Sequence, residues 1–314
     1  MTNGAKRFLS AIAYSVGNHR PIDVLQELEG ITPEAVAGLK ERGLVEFCHD
    51  TRNIPQMCLD TALKTLKSAE LTPQQVDAIV LATSNANWIN TLDAETTLFS
   101  VFQRGGFDKT RFIGLSLQAC SAFGEAASIA GGLIGGPKGP VRVLVILFGR
   151  RETSTRLGPA ATTIYSDGAA SCIISAEKGD FEICASESLF NINLGAMGRL
   201  GNFDQFLGGV QDLAELSTKV FDKTGITPDA IAAAFCTNGS LVHLRVMSNA
   251  AKVPIDRVYT KDVPRFAHVY SCDNLISLQN YVTENKLAIG SYYLLLGWSP
   301  HVVSVAILRY AKEI

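Results

Sequence analysis

The sequence predicts an α/β protein made of two similar halves, about residues 1–176 and 177–314, packed as a pseudo-dimer. Three observations carry this. First, Leu71-Thr72-Pro73 leads into the apolar run Val76 to Thr83, and Ile226-Thr227-Pro228 leads into Ile231 to Thr237 at an offset of 155 residues (226 minus 71). Second, each copy follows an amphipathic helical pattern, carried by Ala62 to Leu66 in one and by Val210, Leu213, Leu216 and Val220 in the other. Third, both halves close on paired apolar strands, Val141 to Phe148 with Ala169 to Ser175 and Tyr292 to Leu296 with Val302 to Leu308. Interleaved strands and helices that recur at long period describe duplicated units, and such a pair tends to hold its ligand at the seam.

In chain order, the apolar run after Lys6-Arg7 reads as a first strand. Ser10, Tyr14 and Ser15 break it and no small-residue cleavage site follows, so it does not read as a signal peptide. Thr32-Pro33-Glu34 supplies an N-cap and a first-turn proline for a helix to about Arg42. Asn53-Ile54-Pro55 repeats the device for a helix to Ala69, and Val76 to Thr83 follows as a buried strand. Gly131 to Pro140 ends a helix instead of opening one and lacks Gly-Lys-Ser/Thr, so it is a connector and not a phosphate loop.

The stretch Thr110 to Leu133 holds the chemistry. Phe112 to Leu117 reads as a strand, Gln118-Ala119-Cys120-Ser121 as a sharp turn, and the small residues that follow as a helix opening at the cysteine. Unpaired N–H groups and the macrodipole at such an end favour a thiolate, which makes Cys120 a candidate nucleophile. The other six cysteines occur in no Cys-x-x-Cys pair and read as small buried hydrophobes, which points to a reduced, cytoplasmic protein.

A nucleophile needs partners, and the second half offers them near the same seam. Asn238 falls at the end of the repeated strand, and Ala267-His268 lies in a loop before the helix Leu275 to Val282, with Asp273 close by. Of the five histidines, His243 sits inside the helical stretch Leu241 to Ala251 and reads as structural, whereas His268 and His301 lie in loops between core elements.

Composition narrows the classes. Hydrophobic residues are 47% and charged residues 18%, so much of the surface is expected to be covered, as in a homodimer. A net charge of −2 with scattered Lys and Arg excludes nucleic acid as a partner. No apolar stretch approaches the roughly 20 residues of a membrane span.

Nearly the whole chain resembles the ketoacyl-ACP synthase III branch of the thiolase superfamily. Ala119-Cys120-Ser121-Ala122-Phe123 is similar to the family's Ala-Cys-Ala/Ser-Gly-Phe, and Tyr165-Ser166-Asp167-Gly168-Ala169-Ala170 to its Gly-Asp-Gly-Ala-Gly-Ala. Leu244-Arg245-Val246-Met247 looks like the helix after its His-Gln-Ala-Asn, and Ser304 to Tyr310 like its closing strand. The resemblance implies a five-layered αβαβα fold with the nucleophile in the first half and its partners in the second. It implies no metal or cofactor, with substrates carried on coenzyme A or on the phosphopantetheine of an acyl carrier protein.

The departures are informative. Asn238 stands where the family has histidine and His268 where it has asparagine, so the polar pair is exchanged. The expected triad is Cys120, His268 and Asn238, with Asp273 as a candidate orienter of His268. Leu296-Gly297-Trp298-Ser299-Pro300-His301 replaces the family's glycine-rich segment, which makes His301 a second candidate. Gly43-Leu44-Val45-Glu46-Phe47 is a degraded form of Gly-Ile-x-x-Arg, so the usual hold on coenzyme A is expected to be lost. Trp88, Phe190 and Phe206 are the aromatic candidates for an acyl pocket.

The resemblance implies a ping-pong reaction through an acyl-Cys120 intermediate. Decarboxylative condensation with a malonyl thioester ranks first, because both donors are present though exchanged, in a polyketide- or fatty-acid-type specialised pathway. Transfer without decarboxylation to a hydroxyl or amine is the alternative. A non-catalytic partner subunit of a heterodimer is the third reading.

Overall fold

The computed structural model describes residues 6–84, 92–135, 141–151, 155–158, 162–197 and 203–312. The strands are β1 (Phe8–Val16), β2 (Asn18–Pro21), β3 (Glu46–His49), β4 (Ala78–Thr83), β5 (Arg111–Leu115), β6 (Val143–Gly149), β7 (Gly168–Ser175), β8 (Phe181–Phe190), β9 (Ile231–Cys236), β10 (Tyr292–Ser299) and β11 (Val302–Tyr310). The longer helices are α1 (Pro33–Glu41), α2 (Ile54–Ser68), α3 (Leu92–Arg104), α4 (Ala122–Ile134), α5 (Phe203–Thr224), α6 (Leu241–Ala250) and α7 (Asp273–Glu284).

Side-chain alternation along the strands sorts the core into three slabs. Val80, Ala82, Val145 and Leu147 face a central slab with residues of α4 and α7, while their neighbours Ile79, Leu81, Leu144 and Ile146 face α2 and α3. In the second half Ala233, Phe235 and Leu295 face that same central slab, and Ala234, Cys236, Leu294 and Leu296 face α5 and α6. A period of two with both faces apolar is what a strand buried between helical layers requires. The layers run helix, sheet, helix, sheet, helix, the five-layered thiolase-like arrangement.

The strands form one hydrogen-bonded order, β5-β4-β6-β7-β1-β8-β11-β10-β9. The β1–β8 pairing that joins its two halves is short, with Phe8 opposite Glu182 and Leu9 opposite Phe181. The chain passes from β7 to β8 between Ser175 and Phe181.

Capping follows the sequence. The Thr32 hydroxyl accepts from Ala35 N at 3.2 Å and the Asn53 amide oxygen from Gln56 N at 2.8 Å, each ahead of a proline in the first turn. The repeated Thr-Pro units both become short 3-10 turns, Pro73–Gln75 and Pro228–Ala230, feeding β4 and β9. The strand expected from Val76 begins at Ala78, because Pro73 to Gln75 uses the preceding residues in that turn. The ten-residue strand β8 carries no clear alternation and was not legible as a strand in the sequence.

Candidate active site

The backbone delivers Cys120 through a strained turn. β5 ends at Leu115, and Leu117 and Ala119 take φ of 68° and 42° before the one-turn segment Ala119–Ser121 opens α4. Non-glycine residues in the left-handed region cost on the order of 1–3 kcal/mol each and cluster at functional sites. The loop bearing His268 uses the same device, with φ of 46° at Ala267 and 52° at Tyr270. Ser121 fixes the turn from below, its hydroxyl donating to Val302 O at 2.8 Å. Gly297 of β10 is needed there, since a Cβ on it would lie 2.8 Å from Ser121 Cα.

The Tyr165-Ser166-Asp167-Gly168 motif holds the other side. His268 N donates to Ile164 O at 2.9 Å, and Ser166 N donates to His268 O at 2.8 Å. The Ser166 hydroxyl donates to Phe266 O at 2.5 Å, and a Cβ on Gly168 would meet Val269 at 2.7 Å. Asp167 is fully buried and paired with Arg156 at 2.6 Å, which pins the motif itself. These residues act on His268 through its main chain.

Cys120 and His268 meet across the seam, with Sγ 3.0 Å from Nε2. On the far side of the ring Nδ1 lies 2.6 Å from Asp273 Oδ2. Asp273 Oδ2 also accepts from Asn238 N at 2.7 Å, and Oδ1 accepts from Val269 N at 2.7 Å. A carboxylate that already accepts two main-chain N–H groups takes the Nδ1 proton as a third, which fixes Nδ1 as the protonated nitrogen.

Burial alone pushes the His268 imidazole down. The charges of Cys120 and Asp273 and their hydrogen bonds outweigh it and raise the group to about 10. Burial holds Asp273 above the usual carboxylate range, against the pull of His268 and of the N–H groups of Asn238 and Val269. Tyr165 and Tyr270 stack with ring centres 5.0 Å apart, and each ring centre is 5.5 Å from that of His268. Both rings pack against the imidazole.

Asn238 joins the site differently from the expected triad. It is its main-chain N–H that reaches Asp273, and its side-chain Nδ2 is buried and forms no hydrogen bond among the described residues. Asp273, expected only as a supporting group, is the residue that holds the ring, because it opens α7 five positions after His268. His301 lines the rim of the cavity in the turn between β10 and β11 and makes no contact with Cys120 or His268 among the described bonds, its ring packing on Phe190 at 5.4 Å.

A cavity of about 370 Å³ opens from Cys120. Phe206 lines it, together with Trp298, Thr163, Gln205 and His243. Phe190 does not line it; this residue is 45% exposed at the end of β8. Trp88 lies outside the described residues. Sequence reasoning passed over His243, read as structural, and Gln205. Ser240 accepts from His243 N as the N-cap of α6, so His243 is the third residue of that helix and turns back over Gly239 into the cavity. The cap pattern Ser240-x-x-His243 was the available signal.

Of the other six cysteines, Cys48, Cys58, Cys172, Cys236 and Cys272 are buried, with burial pushing the thiols up, and Cys184 is half-buried with its thiol up to about 11. The described residues contain no group of three His, Cys, Asp or Glu arranged for a metal, and no described helix is long and apolar enough to cross a membrane.

A five-layered sandwich with a cysteine at the start of a central helix places the chain in the thiolase-like fold class. Within that class the curated proteins it is similar to include ketoacyl-ACP synthase III enzymes. No family model matches the chain. It is 21% identical over 269 residues to the β-ketoacyl-[acyl-carrier-protein] synthase III of Aquifex aeolicus, covering 82% of this chain and 83% of that one. The Rhodobacter capsulatus enzyme of the same name is 26% identical over 280 residues, covering 80% and 83%. Among solved structures, ChlB3, described as an acyltransferase, superposes with a TM-score of 0.82 at 18% identity over 98% of both chains. The Xanthomonas campestris OleA structure with cerulenin bound gives 0.80 at 13% identity over 98% and 99%.

Proposed function

We propose that this protein transfers an acyl group from a thioester, carried on coenzyme A or an acyl carrier protein, through Cys120 to a hydroxyl or amine acceptor without decarboxylation. The observation that carries the reading is His268 bridging Cys120 Sγ at 3.0 Å and the buried Asp273 carboxylate at 2.6 Å. This reverses the order expected from the sequence, where condensation stood first.

The chemistry follows from the tautomer. Sγ attacks the thioester carbonyl, N–H groups at the start of α4 hold the oxyanion, and the Nε2 proton leaves with the departing thiol. His268 is then neutral, with its remaining proton on Nδ1 toward Asp273. Its Nε2 presents a lone pair to the acyl-enzyme, so it takes a proton from an incoming O–H or N–H as that atom attacks. Decarboxylation asks for the opposite, an N–H donor aimed at the carbonyl oxygen of the malonyl thioester.

Condensation keeps one specific observation in its favour, the buried Asn238 Nδ2, an amide donor with no partner beside the pair. A silent partner subunit is disfavoured by the assembled Cys120–His268–Asp273 chain. Intact mass spectrometry after loading with p-nitrophenyl acetate or acetyl-CoA should show one acetyl group, lost in Cys120→Ala. Alcohols or amines should then discharge it, and malonyl-CoA should give no carbon dioxide. Release of carbon dioxide with a new carbon–carbon bond would restore condensation, and absence of any adduct would remove both enzyme readings.

A further inference from the structure

The cavity beyond Cys120 is unevenly furnished. Its walls are mostly apolar, with Phe206, Pro300 and Ala119 among them, yet three buried polar atoms there, Gln205 Oε1, Asn238 Nδ2 and Trp298 Nε1, have no partner among the described residues. Gln205 is 2% exposed; its Nε2 donates to Leu194 O at 2.8 Å while its Oε1 accepts nothing. Asn238 Nδ2 donates to nothing among the described residues, and the His243 ring, 8% exposed and in contact with aromatic rings, faces the same cavity. A buried polar atom left unpaired costs about 1–3 kcal/mol, so several around one cavity need an explanation that packing does not give.

His243 is the group best placed to read a ligand. Its ring lies edge-on to Trp298 at 4.8 Å and tilted toward Phe206 at 6.2 Å, which fixes its orientation without using its nitrogens. Burial, assisted by the charge of His268, keeps it neutral down to about pH 4. A neutral imidazole offers one donor and one acceptor, which suits a hydroxyl or amide and does not attract an anion.

Resting on the transfer reading above, we propose that His243 and Gln205 form a recognition site for the acceptor, which carries a second hydrogen-bonding group besides the hydroxyl or amine that is acylated. The acceptor's reacting atom lies at His268 Nε2, and its second group, a hydroxyl or an amide, bonds to the His243 ring and to Gln205 Oε1. Volume limits its size. A cavity of about 370 Å³ lies near the small end of the range for ligand sites and must hold the acyl group as well. The acceptor class is therefore a compact polyol, amino alcohol or hydroxy amide.

A matched pair of probes tests this. Cys120 is acetylated with p-nitrophenyl acetate, and discharge by cyclohexanol and by trans-1,3-cyclohexanediol is followed by intact mass. A site built to bond a substrate hydroxyl rejects the analogue lacking it. The wild-type protein should favour the diol at least tenfold in second-order rate, after correction for its two hydroxyls. His243→Leu should abolish that preference by slowing the diol at least tenfold more than it slows cyclohexanol, and His243→Gln should restore part of it. Gln205→Leu provides an independent second variant. A preference absent in the wild-type protein, or one that survives both leucine variants, overturns the proposal while leaving the transfer reading intact. Failure of every alcohol and amine to discharge the acetyl-enzyme overturns the transfer reading and this proposal with it.

Discussion

Two histidines share one cavity and one degree of burial, His268 at 4% exposed and His243 at 8%, yet they are driven in opposite directions, to about 10 and to about 4. What separates them is company. His268 has a carboxylate on one nitrogen and a sulfur on the other, whereas His243 has aromatic rings and no anion. Burial in this protein makes an imidazole neutral by default, and only paired anions make it a base. The pairing, and not the burial, marks the catalytic candidate.

The most damaging way to break the contrast is to remove the nucleophile. Cys120→Ala should abolish the acyl adduct by intact mass, and His268 should titrate well below about 10 in its imidazole proton resonances, because one of its two anions is gone. Asp273→Asn comes next. It keeps an acceptor for a main-chain N–H but no longer fixes Nδ1 as the protonated nitrogen, so discharge of the acyl-enzyme to an acceptor should fall by on the order of 10²–10⁴ in rate.

Stability should show the same contrast in its pH dependence. His268 is raised above its unfolded value near 6.5, so its contribution is fully present below about pH 6.5 and is lost as pH rises through about 10. Thermal unfolding should therefore show the wild-type protein losing more stability over that interval than His268→Gln. His243 is lowered, so it behaves oppositely: its contribution is present above about 6.5 and is lost as pH falls through about 4. Removing Phe190, half-exposed and outside the cavity, should have the smallest effect, leaving acylation and discharge within about twofold of wild type by intact mass, as surface changes usually do.

Much of this was legible in the residues. The Thr-Pro caps and the strands after them repeat, so β4 and β9 could be matched, and the glycine-free turn before Cys120 was visible as a change from strand to helix periodicity. The partner set was harder. Asn238 and His268 could be placed at strand and loop ends, but whether Asp273 or Asn238 supports the ring depends on how α7 enters the central layer, and no local pattern encodes that. His243 was read as structural because helical periodicity says which face is buried and not what lies opposite. Phe190 failed for a related reason, since an aromatic residue near a strand end packs as well on a neighbouring ring as on a ligand.

The central claim is that Asp273 holds His268 with its proton on Nδ1, leaving Nε2 as the base once Cys120 is acylated. Nitrogen-15 NMR of histidine-labelled acetyl-enzyme at neutral pH measures this directly. The account predicts a protonated Nδ1 and an unprotonated Nε2 for His268, whereas an Nε2–H tautomer, a donor fit for an enolate, would contradict it.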